Sequence, residues 1–255
     1  MGEKKKYRPA GPCWFSGLLT IIGLCMGFLI VSMKVSIWSV GHEITVHDVE
    51  VYEYDGKSSY ADFAGVFPRF PQLREASLRG TARTVSADAA HASGELHRGV
   101  SVAVLRPPAE RKRKDFDVLL LKRAAHATTT CAGSWGLVGE HCIEGETPLE
   151  TAKRSLAEEL GLVGGDGVEV VDLSEGAGIL VQTPYDEKSR DLQATAIFAA
   201  KLGRRRARSI TFDNRVEDQK WIPMGDLRDL DACTPELEAF HGIVADRLWA
   251  ALDTP

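Results

Sequence analysis

The pattern of apolar and polar positions divides the chain into a long uncharged run, a mixed segment and a globular part. Residues 14–33 contain no charged side chain, and about 20 apolar residues in a helix are enough to span the hydrocarbon core of a bilayer. Further along, short runs of alternating or β-branched residues are typical of strands. Strands are predicted at 43–54, 100–105, 118–121, 168–173, 179–182, 192–201 and 219–222.

Two stretches have the apolar spacing of amphipathic helices. The first is predicted between Thr147 and Gly161, because Thr is favoured at the position just before a helix and Gly at the position just after one. Glu158 and Glu159 then lie on an arc beside the buried stripe, so they are available to a ligand. The second helix is predicted from Pro235 onwards. The stripe of the first helix consists of Leu149, Ala152, Leu156 and Leu160.

The segment 140–162 resembles a Nudix box. That pattern reads Gly, five residues, Glu, seven residues, Arg-Glu, an aliphatic, any residue, Glu-Glu, any residue, Gly and an aliphatic. The alignment places Glu146 on the first glutamate, Arg154 on the arginine, and Glu158 and Glu159 on the glutamate pair. The resemblance implies that Arg154 and Glu146 form a structural ion pair that holds the loop on the helix.

Two positions depart from the box. Glu140 stands where the pattern has its opening glycine, and Ser155 stands where it has the glutamate after the arginine. The resemblance implies a site for Mg²⁺ or Mn²⁺, with Glu158 and Glu159 as catalytic residues and metal ligands. Glu140 is a candidate third ligand, and the sequence leaves open whether its carboxylate replaces the one that is missing at Ser155.

The fold implied by the resemblance is α/β: a Nudix-type α/β/α sandwich with a mixed sheet over residues 97–255. Family members hydrolyse diphosphates linked to another group. The first hypothesis is therefore a metal-dependent hydrolase of a nucleoside or other organic diphosphate. The alternative is a non-catalytic Nudix-fold binding module for a phosphorylated ligand, which Ser155 favours. A third hypothesis is chemistry like that of isopentenyl-diphosphate isomerase, which uses a Cys and a Glu on this fold.

Two cysteines flank the loop that leads to the box. Cys131 and Cys142 keep the isomerase hypothesis open, although no motif of that enzyme surrounds them. They could form a disulfide in an oxidising compartment, or they could be two small buried side chains. His126 and His141 could complete a zinc set with them, but the spacing is irregular.

The N-terminal third predicts a membrane anchor that enters the bilayer through residues 14–33. Four basic residues precede this run and only Lys34 follows it closely, so the N-terminus is expected to be cytosolic and the C-terminal domain lumenal or extracellular. A cleaved signal peptide is the main alternative. The expected order is a basic tail at 1–12, a signal anchor at 13–38, a stem of limited order at 39–96, and the Nudix-like domain at 97–255.

Composition excludes little beyond one class of partner. The chain has 255 residues, of which 44% are hydrophobic and 26% charged, as in a globular protein. Its formal net charge of −5 argues against a general nucleic-acid binder. The resemblance implies a small-molecule diphosphate as the partner, and the net charge leads us to expect no nucleic-acid polymer.

Overall fold

The computed structural model describes residues 48–63, 72–108, 115–125, 131–162, 168–174, 178–184, 190–212, 215–232 and 234–252. The strands are β1 Asp48–Tyr54, β2 Gln72–Leu73, β3 Leu78–Ser86, β4 Leu96–Arg106, β5 Asp117–Arg123, β6 Trp135–Gly136, β7 Val138–His141, β8 Glu169–Asp172, β9 Gly178–Pro184, β10 Arg190–Lys201 and β11 Val216–Pro223. The α-helices are α1 Ala87–Ser93, α2 Pro148–Leu160 and α3 Pro235–Leu252. Short 3-10 helices lie at Tyr60–Phe63, Glu75–Ser77, Arg206–Arg208 and Met224–Asp229.

The central sheet is mixed and runs in the order β11–β5–β4–β10–β9–β2. Strands β4 and β10 are parallel, whereas the other described pairings are antiparallel. Strand β7 pairs with β4, which brings the start of the Nudix-like box beside the middle of the sheet. The strands predicted from the sequence are confirmed, with ends that differ by a few residues.

The two faces of the sheet carry different cores, because alternate residues of a strand point to opposite sides. Helix α2 covers the first face and α3 the second, so the predicted α/β/α layering is confirmed. The first core includes Val100, Val102, Val104, Leu119, Leu121, Phe198, Leu156 and Leu160. The second includes Ala103, Leu105, Val118, Leu120, Ile197, Phe240, Val244 and Leu248.

Helix α2 has the ends that its sequence predicts. Thr147 Oγ1 accepts a hydrogen bond from the Glu150 backbone N–H at 3.3 Å, and the Glu150 carboxylate accepts one from the Thr147 N–H at 2.8 Å. This capping box satisfies amide groups that a helix leaves unpaired at its start. Gly161 ends the helix with φ of 63°, a left-handed conformation that glycine adopts without a Cβ clash.

The region predicted as a stem differs from that expectation in its described residues. Strand β1 pairs with β3 and reaches β4 through Val51 and His97, and β2 pairs with β9. Phe63 is buried in a third apolar cluster between these elements and the sheet. The compact unit accordingly spans residues 46–255 and includes the segment before the Nudix-like domain.

The predicted cytosolic tail at 1–12 and signal anchor at 13–38 lie outside the described residues. Within the described ranges, which begin at Asp48, no helix is both long and apolar enough to span a membrane.

Helix α3 buries a histidine whose protonation is linked to stability. His241 is 3% exposed, and burial, helped by the positive charge of Arg123, lowers its pKa to about 4. An unfolded chain has a histidine pKa near 6.5, so between about pH 6.5 and 4 it binds a proton that the folded chain does not. As the pH is lowered from about 6.5 to 4, the free energy of unfolding should therefore decrease, and this residue should contribute roughly 3 kcal/mol of that decrease.

Replacing this histidine by glutamine tests the linkage. We expect His241→Gln to lose less stability than the wild type when denaturant unfolding is compared at about pH 7 and about pH 4.5. An equal loss in both proteins would show that His241 does not titrate in this range.

Candidate active site

The guanidinium group of Arg154 joins helix α2 to the loop before it. Its Nε donates to Glu146 Oε1 at 2.9 Å and its Nη2 donates to Glu146 Oε2 at 3.1 Å, a two-pronged ion pair. Nη2 also donates to the backbone carbonyl of His141 at 2.8 Å. The two charged side chains are only 15% and 19% exposed. Arg154 therefore fixes both the end of β7 and the loop against the helix.

The charges of this pair are stabilised in their ionised forms. Burial opposes ionisation of Glu146, but hydrogen bonds from Arg154 and Thr151 outweigh it and leave the pKa of Glu146 below its ordinary value. Burial likewise opposes the charge of Arg154, yet the Glu146 carboxylate leaves the pKa of Arg154 raised. Thr151 Oγ1 donates to Glu146 Oε2 at 2.8 Å.

Three carboxylates surround this clamp. Glu158 Oε2 accepts from Arg154 Nη1 at 3.2 Å, and Glu140 Oε1 accepts from Arg215 Nη1 at 3.0 Å. Glu159 Oε1 accepts from the backbone N–H of Gly139 at 3.4 Å. The structure thus sets the predicted site residues around one corner where β7 meets the C-terminal half of α2, with two of the carboxylates paired to arginines.

Ser155 lies on the buried side of helix α2. It is 0% exposed, and its Oγ donates to the backbone carbonyl of Ala152 at 3.0 Å. The hydroxyl is thereby directed at the helix backbone, so it does not act as a surface ligand in this arrangement.

The donor set fits a hard divalent cation by its chemistry, because Mg²⁺ and Mn²⁺ prefer carboxylate oxygens. Glu140, Glu158 and Glu159 supply such oxygens. In this arrangement the three carboxylates are not close enough together to share one ion. Among the described residues, the one group of acidic, histidine or cysteine side chains that is close enough consists of other residues. Binding at the box would require Glu158 and Glu140 to exchange arginine contacts for the cation.

A cleft of about 320 Å³ lies at the opposite end of α2. Thr147 and Leu149 line it from the helix and Phe198 from the sheet, and the ion pair of Arg98 and Glu75 also lines it. The helix rises about 1.5 Å per residue, so Leu149 is roughly 14 Å along the axis from the carboxylates. This cleft therefore does not adjoin the predicted chemistry.

The two cysteines do not pair with each other. Cys131 is disulfide-bonded, whereas Cys142 is a free and buried thiol. Burial raises the pKa of the Cys142 thiol to about 11, which keeps it protonated and a poor nucleophile at neutral pH. The isomerase hypothesis therefore loses both of its cysteines, and neither supports a zinc set with His141. His126 lies outside the described residues.

Sequence reasoning missed a second group of side chains. Three histidines and an aspartate bring their ligand atoms within 4.8 Å of one another, and they come from α1, the starts of β4 and β10, and the end of β7. Residues so far apart in the chain leave no spacing signal, since only the pairing of the strands brings them together. The group consists of His91, His97, His141 and Asp191.

The fold is a mixed-sheet α/β/α sandwich, and Arg154 and Glu146 fix its capped acidic helix to the preceding loop. Together these two features indicate the class of protein. The family model of the NUDIX domain matches residues 95–241, more than half of the chain. The chain therefore belongs to the Nudix family and has a Nudix hydrolase-like fold.

Several solved structures are similar to the chain. They include the NUDIX domain of Shewanella oneidensis NrtR complexed with ADP ribose, at 21% identity over 62% of this chain and 87% of that chain, with a TM-score of 0.42. A C. elegans Ap4A hydrolase is 16% identical over 61% and 96%, with a TM-score of 0.42. The MutT protein of Methanosarcina mazei Go1 is 18% identical over 60% and 94%, with a TM-score of 0.40. No curated protein matches the chain.

Proposed function

We propose that this protein is a metal-dependent hydrolase of a nucleoside diphosphate, or another organic diphosphate, linked to a further group. The observation that carries the proposal is the corner in which Arg154 and Glu146 fix the loop, while Glu159 contacts Gly139 and Glu158 contacts Arg154. The preserved clamp is the part of the family's box that positions its carboxylates.

Some residues of the site would hold the cation, and the cation would supply the chemistry. When bound, Mg²⁺ or Mn²⁺ supplies charge neutralisation for the phosphates and lowers the pKa of water that attacks them. Glu159 and Glu158, with Glu140 as the third candidate, would hold the cation. Arg154 positions Glu158 and is not itself expected to touch the substrate.

The proposal is tested by hydrolysis. Full-length protein in mild detergent is offered nucleoside, dinucleotide and prenyl diphosphates with Mg²⁺ or Mn²⁺, and the phosphate-containing products are separated and quantified by chromatography. Turnover of at least one compound with a cation, and none with excess chelator, is expected. No turnover of any compound, together with tight binding of one, would replace the proposal by the alternative below.

The alternative function is a binding module for a phosphorylated ligand. It is favoured by Ser155, whose side chain is buried and bonded to its own helix, and by the arginine contacts of Glu140 and Glu158. In that case the acidic corner would be a set of structural ion pairs, and the cation would have no effect on ligand affinity.

Ser155→Glu tests how the buried position relates to the cation. Burying a carboxylate without a partner costs several kcal/mol, so this variant should be much less stable than the wild type in chelator. If the new carboxylate reaches a cation on α2, saturating Mn²⁺ should restore much of the stability, because a ligand that binds only the folded state stabilises it. Melting temperatures with and without Mn²⁺ measure this effect.

The matched control is Ser155→Gln, which has the same size and no charge. It should lose stability by crowding and recover nothing with Mn²⁺. Equal changes of melting temperature with Mn²⁺ in the two variants would show that position 155 is not part of a metal site.

The same proposal includes a tether to the membrane through residues 14–33, with a cytosolic N-terminus and a lumenal or extracellular Nudix domain. Its support is the uncharged run with its basic flank, and the disulfide at Cys131, since disulfides persist in oxidising compartments. Protease treatment of sealed microsomes tests the orientation: a domain that is digested without detergent would contradict it.

A further inference from the structure

The four side chains of the second cluster converge on one point. His91 Nε2 lies 3.3 Å from His141 Nε2 and 3.6 Å from Asp191 Oδ1, and His97 Nε2 lies 3.4 Å from the same oxygen. Four ligands at about 2.0–2.1 Å from a tetrahedral ion are about 3.3–3.4 Å apart. These three separations are close to the edges of such a tetrahedron, and all four ligand atoms lie within 4.8 Å of one another.

Two residues of the cluster, His91 and His97, are buried, and His141 and Asp191 are partly buried. The side chains of His91, His97 and Asp191 are 6%, 0% and 16% exposed. His97 Nε2 and Asp191 Oδ1 are buried without a hydrogen-bond partner in the described residues. Buried polar atoms in proteins nearly always have a partner, so these two atoms point to a ligand between them.

Neighbouring groups hold two of the ligands in metal-binding orientation. His97 Nδ1 lies 2.9 Å from the Glu95 carbonyl, to which its N–H donates, and this leaves the lone pair of Nε2 facing the cluster. Gln193 Nε2 donates to Asp191 Oδ2 at 2.8 Å, so Oδ1 is the oxygen that faces the histidines. Gly99 makes room for this glutamine, because a side chain there would collide with Gln193 Oε1.

We propose that His91, His97, His141 and Asp191 form a structural zinc site. Three imidazole nitrogens and one carboxylate in a tetrahedral arrangement suit Zn²⁺, and a site with four protein ligands and no open position is structural rather than catalytic. It shares no ligand with the acidic corner, so the zinc site and the hydrolase can be tested separately.

The placement of the ligands gives the site a function. His91 belongs to α1, in the segment before the family match, whereas His97, His141 and Asp191 belong to the sheet. The ion would therefore join this N-terminal segment to the Nudix domain. The backbone carbonyl of His141 also accepts from Arg154, so the same ion would steady the strand end to which the Nudix-box clamp is attached.

The other occupant of this space is a proton. Without a metal, a hydrogen would have to lie between His97 Nε2 and Asp191 Oδ1, and another between the facing nitrogens of His91 and His141. Burial lowers the pKa of both His91 and His141, which keeps these rings in the neutral form that binds metals.

Metal analysis of the full-length protein distinguishes the two occupants. The protein is purified without a polyhistidine tag, and zinc is counted by inductively coupled plasma mass spectrometry. About one zinc per chain is expected in the wild type, and less than about one tenth in His97→Gln and Asp191→Asn. Chelation should lower the wild-type melting temperature by roughly 10 °C and leave both variants unchanged.

The matched control is His241→Gln, a change of an equally buried histidine outside the cluster, which should keep its zinc. If His97→Gln fails to fold, cobalt loading of the wild type gives the answer by itself, since tetrahedral Co²⁺ has intense visible absorption and octahedral Co²⁺ does not. A wild type that binds no zinc, equal zinc in the cluster variants, or an octahedral cobalt spectrum would each overturn the proposal.

Discussion

Arg154→Ala should destabilise the protein by about 3 kcal/mol, at the lower end of the 3–5 kcal/mol range for breaking a buried ion pair. The reason is the number of groups that the guanidinium serves at once. It bonds both oxygens of Glu146, the carbonyl of His141 and the carboxylate of Glu158. Its removal leaves the half-buried Glu146 without its main counter-charge and detaches the loop from α2.

Denaturant unfolding at neutral pH measures this loss, and a neighbouring residue supplies the control. Lys153 is an exposed cation on the same helix, so Lys153→Ala should change stability by no more than about 0.5 kcal/mol. Arg154→Lys should lie between the two, because lysine keeps the charge but lacks the planar fork. A stability of Arg154→Ala equal to that of Lys153→Ala would show that the clamp contributes nothing to folding.

Glu159→Gln should lower turnover about 100-fold or more while leaving the fold intact. A carboxylate that holds the catalytic cation is responsible for several kcal/mol of charge stabilisation, and about 2.7 kcal/mol corresponds to a hundredfold in rate. The glutamine has the same shape and can still accept from the Gly139 N–H. The melting temperature should therefore stay within a few degrees of the wild type.

Two further variants isolate the effect. Glu144→Gln, an exposed residue of the loop, should retain full activity. Glu158→Gln should lose both activity and stability, since Glu158 pairs with Arg154. Turnover of Glu159→Gln at the wild-type rate, with unchanged dependence on the cation, would remove Glu159 from the catalytic site.

The parts of the fold that could be predicted are those that local chemistry determines. Helix α2 begins at Thr147 and ends at Gly161 because a capping box and a left-handed glycine act on their own neighbours. Strands β4, β5 and β10 could be predicted because both of their faces are buried, which leaves continuous apolar runs in the sequence. The clamp between Arg154 and Glu146 was reached through the family pattern, and it lies within eight residues of chain.

The parts that could not be predicted depend on distant partners. Strand β3 is mostly exposed and shows no apolar alternation, so its pairing with β1 left no signal in its sequence. Glu140 meets Arg215 across 75 residues, and sequence gave no reason to join them. His141 was considered as a ligand beside cysteines, whereas the sheet places it beside His91, His97 and Asp191.

The departure at Ser155 shows where family patterns stop being informative. The box predicts an exposed ligand at this position, one turn before Glu159. The structure instead buries the serine and bonds it to Ala152. A buried serine stands where the box has a glutamate. The cation would therefore depend on the remaining carboxylates and should bind more weakly than in a complete box.

The most direct test of the account is the binding of Mn²⁺, because it requires no knowledge of the substrate. Full-length wild type and Glu159→Gln, both already saturated with zinc, are titrated with Mn²⁺, and the free ion is measured by electron paramagnetic resonance. We predict that the wild type binds Mn²⁺ and that Glu159→Gln binds it at least about 10-fold more weakly. Equal affinity in the two proteins, or no binding by the wild type, would contradict a catalytic cation on helix α2.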